Sequence, residues 1–224
     1  MAREVLLGAA LEHGGAGGQS LVRVKLYIEG GGEGKPLDEL FRRAWRRFFE
    51  KAGLGGRMPR VVRGGSRLAT FDAFKTAVAN RRSEDPPMLL PMLLVDSEAA
   101  VEAGHSVWQH LRRRDGWDRP PEAGEDQAFL MVQVMETWFV ADRATLRSFF
   151  GESFKESHLP PWPDLEAVPK VTVLAALDRA SAGCGARRYK KGPVSFKLLE
   201  QLNPALVESA CPGARALLAA LRKH

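Results

Sequence analysis

The sequence predicts a three-layer α/β domain: a four-stranded, mostly parallel sheet with helices on both faces and a helical C-terminal extension. Three observations carry that expectation. Strand-like and helix-like segments alternate as β-α-β-α-β-α-β-α through residues 21–150, which implies right-handed crossovers between parallel strands. Residues 88–95, Met-Leu-Leu-Pro-Met-Leu-Leu-Val, form a nearly continuous apolar run, as in a strand covered on both faces. Residues 36–53 place Leu37, Leu40, Phe41, Ala44, Trp45, Phe48, Phe49 and Ala52 at the spacing of a helix packed on such a sheet.

Taken in order, residues 1–20 read as a flexible leader, with a core expected over 21–158 and the helical extension over 159–224. Val22, Val24, Leu26 and Ile28 alternate with Arg23, Lys25 and Tyr27, the period of a first strand. That strand runs into Glu29 and a glycine-rich turn. Pro36 then opens the first helix, where a missing N–H costs nothing. Arg42, Arg43, Arg46, Arg47 and Lys51 fall on the outer side of this helix, where they either meet a nucleic-acid backbone or are simply solvated. Residues 59–63 predict a second strand and 69–82 a second helix. In the run 88–95, Pro91 argues that the third strand begins near Met92, because proline avoids central strands. That strand ends at Asp96-Ser97-Glu98. Residues 105–114 predict a short helix with Val107, Trp108 and Leu111 inward and His105 and His110 at the surface. A loop over 115–126 leads to a fourth strand at 128–135, which feeds directly into a helix at 136–150. The proline-rich residues 159–163 read as a linker. Helices follow at 169–182, from Ser195-Phe-Lys197 onward, and at 213–223.

Composition bounds the class. The chain has 224 residues and a formal charge of +6, which suggests an anionic partner, nucleic acid first. An Arg-, Ala- and Gly-rich composition produces the same balance without such a partner. No apolar run is long enough to span a membrane. Cys184 and Cys211 show neither metal-ligand spacing nor a disulfide framework, which fits a reducing cytoplasm.

The turn after the first strand admits three readings. As a phosphate-binding loop, Gly30-Gly-Gly-Glu-Gly-Lys-Pro36 is one residue short and carries Pro36 where a Mg²⁺-binding hydroxyl belongs. As a dinucleotide fingerprint, its glycines fit only loosely. As part of a metal site, Glu29 is a carboxylate ligand or base, and the glycines let a phosphate backbone approach. The third reading needs more acids on neighbouring strand ends, and the sequence supplies them: Asp96 and Glu98 after the third strand, Glu136 after the fourth. Carboxylates converging on one sheet edge repel each other unless a cation neutralises them, and hard ions such as Mg²⁺ or Mn²⁺ take such oxygen ligands. Each acid alone can instead cap the helix that follows it.

Glu29-Gly30 after a first strand and Asp96-Ser97-Glu98 after a later one resemble the Toprim domain of topoisomerases, primases and overcoming-lysogenization-defect (OLD) nucleases. The pattern of that family is Glu-Gly followed by Asp-x-Asp. Here Glu98 replaces the second Asp, keeping the charge and lengthening the reach. More closely, four blocks are similar to a bacterial Toprim-like family described as domain of unknown function 4276. They begin at Tyr27-Ile-Glu-Gly, Leu94-Val-Asp-Ser-Glu98, Met131-Val-Gln-Val-Met-Glu136 and Tyr189-Lys-Lys-Gly. The resemblance spans about residues 21–220 and implies a Mg²⁺-dependent nuclease-like core acting on DNA or RNA, linked to anti-phage defence and to an ATPase partner. On that basis Glu29 is expected as general base or ligand, with Asp96, Glu98 and Glu136 as further ligands. Lys190, Lys191 or Lys197, Lys197 first, would offset phosphate charge, with Gly30, Arg42 and Arg46 along the nucleic-acid path. The alternative is a non-catalytic nucleic-acid-binding or ATPase-regulating module of the same fold.

Overall fold

The computed structural model describes residues 24–32, 34–81 and 89–224; the expected leader and residues 21–23 lie outside the described residues. Four strands, β1 (Val24–Ile28), β2 (Arg60–Arg63), β3 (Leu90–Asp96) and β4 (Ala128–Met131), form one sheet in the order β2-β1-β3-β4. Every pairing is parallel. The crossovers carry α1 (Lys35–Lys51), α2 (Arg67–Ala79) and α3 (Val107–Asp115). After β4 come α4 (Glu136–Ala141), α5 (Arg143–Phe150), α6 (Lys170–Ser181), α7 (Pro193–Gln201), α8 (Pro204–Ala210) and α9 (Pro212–Lys223).

The strand period of two assigns each face to its own core. Val24, Leu26 and Ile28, with Met92, Leu94, Phe129 and Met131, share one cluster with α1 and the helices after β4. Tyr27, Leu93, Val95, Ala128 and Leu130 share the other with residues of α2 and α3. Trp138 belongs to the first core, stacked on Phe48 at 5.6 Å and edge-on to Trp45 at 5.9 Å. With α1 on one face and α3 on the other, the connections leaving β1 and β3 diverge, and the crevice between their carboxyl ends is where such sheets bind ligands.

Several boundaries depart from expectation, each for a local reason. Pro91 lies inside β3, a central strand, rather than before it. Its carbonyl accepts from the Gln127 side chain at 2.7 Å, on the side where β4 has not yet begun, since the β3–β4 ladder starts at Leu93 and Ala128. The missing N–H therefore removes no ladder bond. β4 ends at Met131 instead of residue 135, because Gln133 adopts φ 60° and breaks the strand. The helix expected over 136–150 is two helices. Asp142 departs from helical geometry and caps the second, accepting from Thr145 N at 3.0 Å. His110 is buried, not superficial, with Nε2 2.9 Å from the Ser97 carbonyl. The helix at 204–210 had no forecast.

Among the described residues no helix is long and apolar enough to cross a membrane. Both cysteines are free thiols. Burial, with the nearby Glu166 carboxylate, pushes the Cys211 thiol up to about 12.

Candidate metal centre

The site grows out of the ends of β1, β3 and β4. Glu29 follows β1 and is tied across the sheet, its N–H donating to the Leu94 carbonyl at 3.0 Å. Asp96 is the last residue of β3. Beyond it the chain turns at Glu98, whose φ of 64° is rare for a residue with a side chain. The turn is held from β4's side: Glu98 N donates to the Gln133 carbonyl and Gln133 N to Ser97 Oγ, at 2.9 and 2.7 Å. These two left-handed residues thus brace each other, and the strain marks where the surroundings fix the backbone.

This architecture brings one carboxylate oxygen from each of Glu29, Asp96 and Glu98 within 4.8 Å of the others, a group that can hold a metal ion. Asp96 is 7% exposed; the other two are half-buried. Glu29 Oε2 accepts from Asp96 N at 3.2 Å and from Arg67 Nη1 at 3.3 Å. Arg67 also donates to the Asp96 carbonyl and forks onto both oxygens of Asp115, at 3.1 and 2.7 Å. Its guanidinium lies 5.0 Å from the centre of the Trp117 ring. Asp96 Oδ1 accepts from Met135 N at 2.9 Å. Both oxygens of Glu98 accept from Lys170 Nζ, at 2.6 and 2.5 Å, and Arg114 stands 3.8 Å away.

Glu136 opens α4 and is 1% exposed. Its Oε1 accepts from the Tyr189 hydroxyl, which lies 3.0 Å from Ser195 Oγ. Its Oε2 has no hydrogen-bond partner among the described residues, and the Lys191 ammonium stands 3.9 Å off. Burial, reinforced by Glu136, pushes the Tyr189 phenol far above its ordinary range, so it stays a donor to the carboxylate.

The charges work on one another. Burial raises the Asp96 carboxyl well above the usual range, and the negative charges of Glu29 and Glu136 raise it further. Burial raises Glu29 as well, against the pull of Arg67 and of the Asp96 N–H. Such a group of mutually opposed acids is what a divalent cation relieves.

A cavity of about 520 Å³ opens onto the group, lined by Glu29, Gly30, Asp96, Glu136, Lys191 and Phe196 among others. Gly30 is required there, since a Cβ would sit 2.8 Å from the Phe41 ring. Arg63 fixes the turn by donating to the carbonyls of Gly30, at 2.9 Å, of Gly31, at 3.3 Å, and of Gly32.

Of the residues singled out from sequence, Glu29, Gly30, Asp96, Glu136 and Lys191 meet at this cavity. Glu98 joins the acidic group without lining the cavity, and Glu136 lines the cavity without joining the group of three. Lys190 is exposed. Lys197 is exposed on α7 and does not line the cavity. Arg42 and Arg46 border a separate pocket with Met58 and Pro59, and Arg46 is engaged by Glu50 at 2.8 Å. Sequence reasoning missed Arg67, Lys170 and the Tyr189 hydroxyl. Arg67 follows the helix-capping Ser66, whose side chain accepts from Ala69 N, and that cap was the available signal.

No curated protein matches the chain, and no solved structure does. A family model described as domain of unknown function (DUF4276) matches residues 28–222, from the tip of β1 to the last turn of α9, and the chain belongs to that family.

Proposed function

We propose that this chain is a divalent-metal-dependent phosphodiesterase acting on DNA or RNA, with Mg²⁺ or Mn²⁺ held by the acids at the ends of β1, β3 and β4. The observation that carries this reading is the convergence of Glu29, Asp96 and Glu98 beside a cavity that Glu136, buried and with its Oε2 lacking a hydrogen-bond partner among the described residues, also lines. The donor set fits the ion: all are hard oxygens, and a buried carboxylate oxygen without a hydrogen bond is costly until a cation meets it.

A divalent ion bound there would polarise a phosphodiester and acidify a water. The chain's own groups supply the rest. Glu29 Oε2 is engaged by Arg67 and the Asp96 N–H, which orients the carboxylate; with its raised affinity for protons it suits a general base. Lys191, on the cavity wall, offsets phosphate charge. Gly31, which lines the cavity and whose missing Cβ would meet nothing within 4 Å, keeps that wall low, so that a nucleic-acid backbone can approach beside Gly30. The likeness to OLD-type Toprim nucleases, a role in anti-phage defence, an ATPase partner and a cytoplasmic location belong to this reading through the resemblance and the two free thiols.

A second reading, a non-catalytic nucleic-acid-binding or ATPase-regulating module, is favoured by one observation: Arg67 and Lys170 already engage Glu29 and Glu98. Incubation with single- and double-stranded DNA and with RNA, in Mg²⁺, in Mn²⁺ and in chelator, separates the two. Cleavage of at least one substrate that needs the metal is the expected result. Binding without cleavage in either metal establishes the module instead, and neither binding nor cleavage overturns both. Binding should also weaken with salt, each phosphate contact adding roughly −0.7 to −0.9 to the slope of log K on log salt. Lys191→Gln should flatten that slope by about one contact.

A further inference from the structure

The three acids whose oxygens converge, Glu29, Asp96 and Glu98, already hold two cations of the protein's own. Arg67 engages Glu29 at 3.3 Å, and both oxygens of Glu98 accept from the Lys170 ammonium, at 2.6 and 2.5 Å. Whichever Glu98 oxygen joins the group, it is therefore already neutralised from within. Glu136, paired with Lys191 at 3.9 Å, stands outside this arrangement.

The two internal cations are held very differently. Arg67 also donates to the Asp96 carbonyl, forks onto Asp115 and lies against Trp117, so it is locked on several sides. The Lys170 ammonium makes no hydrogen bond among the described residues other than those to Glu98, and its side chain is 25% exposed. Its backbone is fixed elsewhere. Lys170 N donates to Gln133 Oε1 at 3.3 Å, and the Gln133 carbonyl accepts from Glu98 N at 2.9 Å. One residue thus braces the main chain on both sides of the pair, while the ammonium ends a flexible four-carbon stem that already reaches solvent. Lys170 is the cation that can leave without disturbing the backbone.

We propose that Lys170 is an exchangeable cation: it neutralises Glu98 in the metal-free protein, and a divalent ion entering among Glu29, Asp96 and Glu98 displaces it to solvent. This rests on the metal-centre reading above and adds to it how the site passes between its metal-free and metal-bound forms. Charge favours the exchange, since the ion brings two positive charges to three carboxylates where the ammonium brings one to a single carboxylate. Lys170 is then a positioning residue, acting on the ion through Glu98.

The test is acetylation of Lys170 in the full-length protein by N-hydroxysuccinimidyl acetate at fixed pH, in chelator and in saturating Mn²⁺. Mass spectrometry reads it against exposed Lys197, and equilibrium dialysis measures Mn²⁺ binding in parallel. In wild type, Mn²⁺ should raise the modification of Lys170 severalfold. In Glu98→Gln, Lys170 should be modified equally with and without the ion, and Mn²⁺ should bind severalfold more weakly, because a ligand is gone. Lys170→Met should bind Mn²⁺ severalfold more tightly than wild type, because no internal cation has to leave. Modification of Lys170 that ignores Mn²⁺ in a wild type that binds it would overturn the exchange and leave the metal centre standing. So would undiminished Mn²⁺ binding by Glu98→Gln, or weaker binding by Lys170→Met. No Mn²⁺ binding by any of the proteins would remove the metal centre and the exchange with it. If Lys170→Met fails to fold, the wild-type modification and the Glu98→Gln affinity still decide.

Discussion

Asp96→Asn is expected to abolish metal-dependent cleavage, a loss on the order of a thousandfold as for removal of one preorganised electrostatic partner, and at the same time to stabilise the metal-free protein at neutral pH. Asparagine keeps the shape and an Oδ1 that can accept from Met135 N, so the turn into α4 should survive. What it removes is a buried negative charge beside Glu29 and Glu136. The sign follows from the raised carboxyl. Asp96 binds its proton more tightly folded than unfolded, so its contribution is fully present below the unfolded value of 3.8 and is lost as pH rises through the raised folded value. The variant has nothing to lose in that window. Melting curves in chelator should therefore separate progressively in the variant's favour as pH rises above 3.8. Saturating Mn²⁺ should reverse the order at neutral pH, because the ion stabilises the folded wild type by mass action and finds a ligand missing in the variant. Undiminished cleavage would remove Asp96 from the site. A variant that melts lower by the same amount at every pH would make Asp96 a structural cap of the α4 turn.

The parts of this site that were legible in the sequence are those a one-dimensional pattern can mark. Alternation up to Ile28, an apolar run up to Val95 and acids just beyond each place Glu29 and Asp96 at adjacent carboxyl ends, once the sheet is known to be parallel. The amphipathic spacing of α1 was equally plain, because Phe41, Ala44, Trp45, Phe48 and Phe49 lie on one side of a regular helix. The pattern was silent where the backbone leaves regular geometry. Gln133, at positive φ, cuts β4 short, so Glu136 reaches the cavity from a helix start and not from a strand tip. Nor does the sequence show which charges pair across long separations. Lys170 is 72 positions from Glu98 and Arg67 is 38 from Glu29. The sequence put Lys197 ahead of Lys190 and Lys191, yet it is Lys191 that reaches the cavity. They differ because Lys191 precedes Gly192 at the cavity wall, whereas Lys197 points from the exposed side of α7. Side-chain direction in an irregular segment is a property of packing, not of composition.

Arg67→Met should produce the largest loss of stability among single changes at the site, and Mn²⁺ should restore part of it. The guanidinium is mostly buried and serves Glu29, the Asp96 carbonyl and both oxygens of Asp115. Removing one member of a buried ion pair leaves the others uncompensated and costs about 3–5 kcal/mol. In a chain of this size that corresponds to a fall of roughly 6–20 °C in melting temperature. Methionine is the informative replacement because its unbranched stem can still cover Trp117, which is itself stacked on Phe71 at 4.2 Å, so lost packing is kept small. Arg67→Lys should fall between the two, since one ammonium keeps the charge but cannot fork onto Asp115 while reaching Glu29. The Mn²⁺ arm tests whether Arg67 and the ion act on the same acid. If Glu29 is a ligand, it repels Asp96 more strongly once Arg67 is gone, and an ion that neutralises both gains more in the variant than in wild type. The rise in melting temperature on adding Mn²⁺ should therefore be larger for Arg67→Met. An equal rise in both proteins would mean that Glu29 answers to Arg67 alone, and the ion would have to be held by Asp96 and its remaining neighbours.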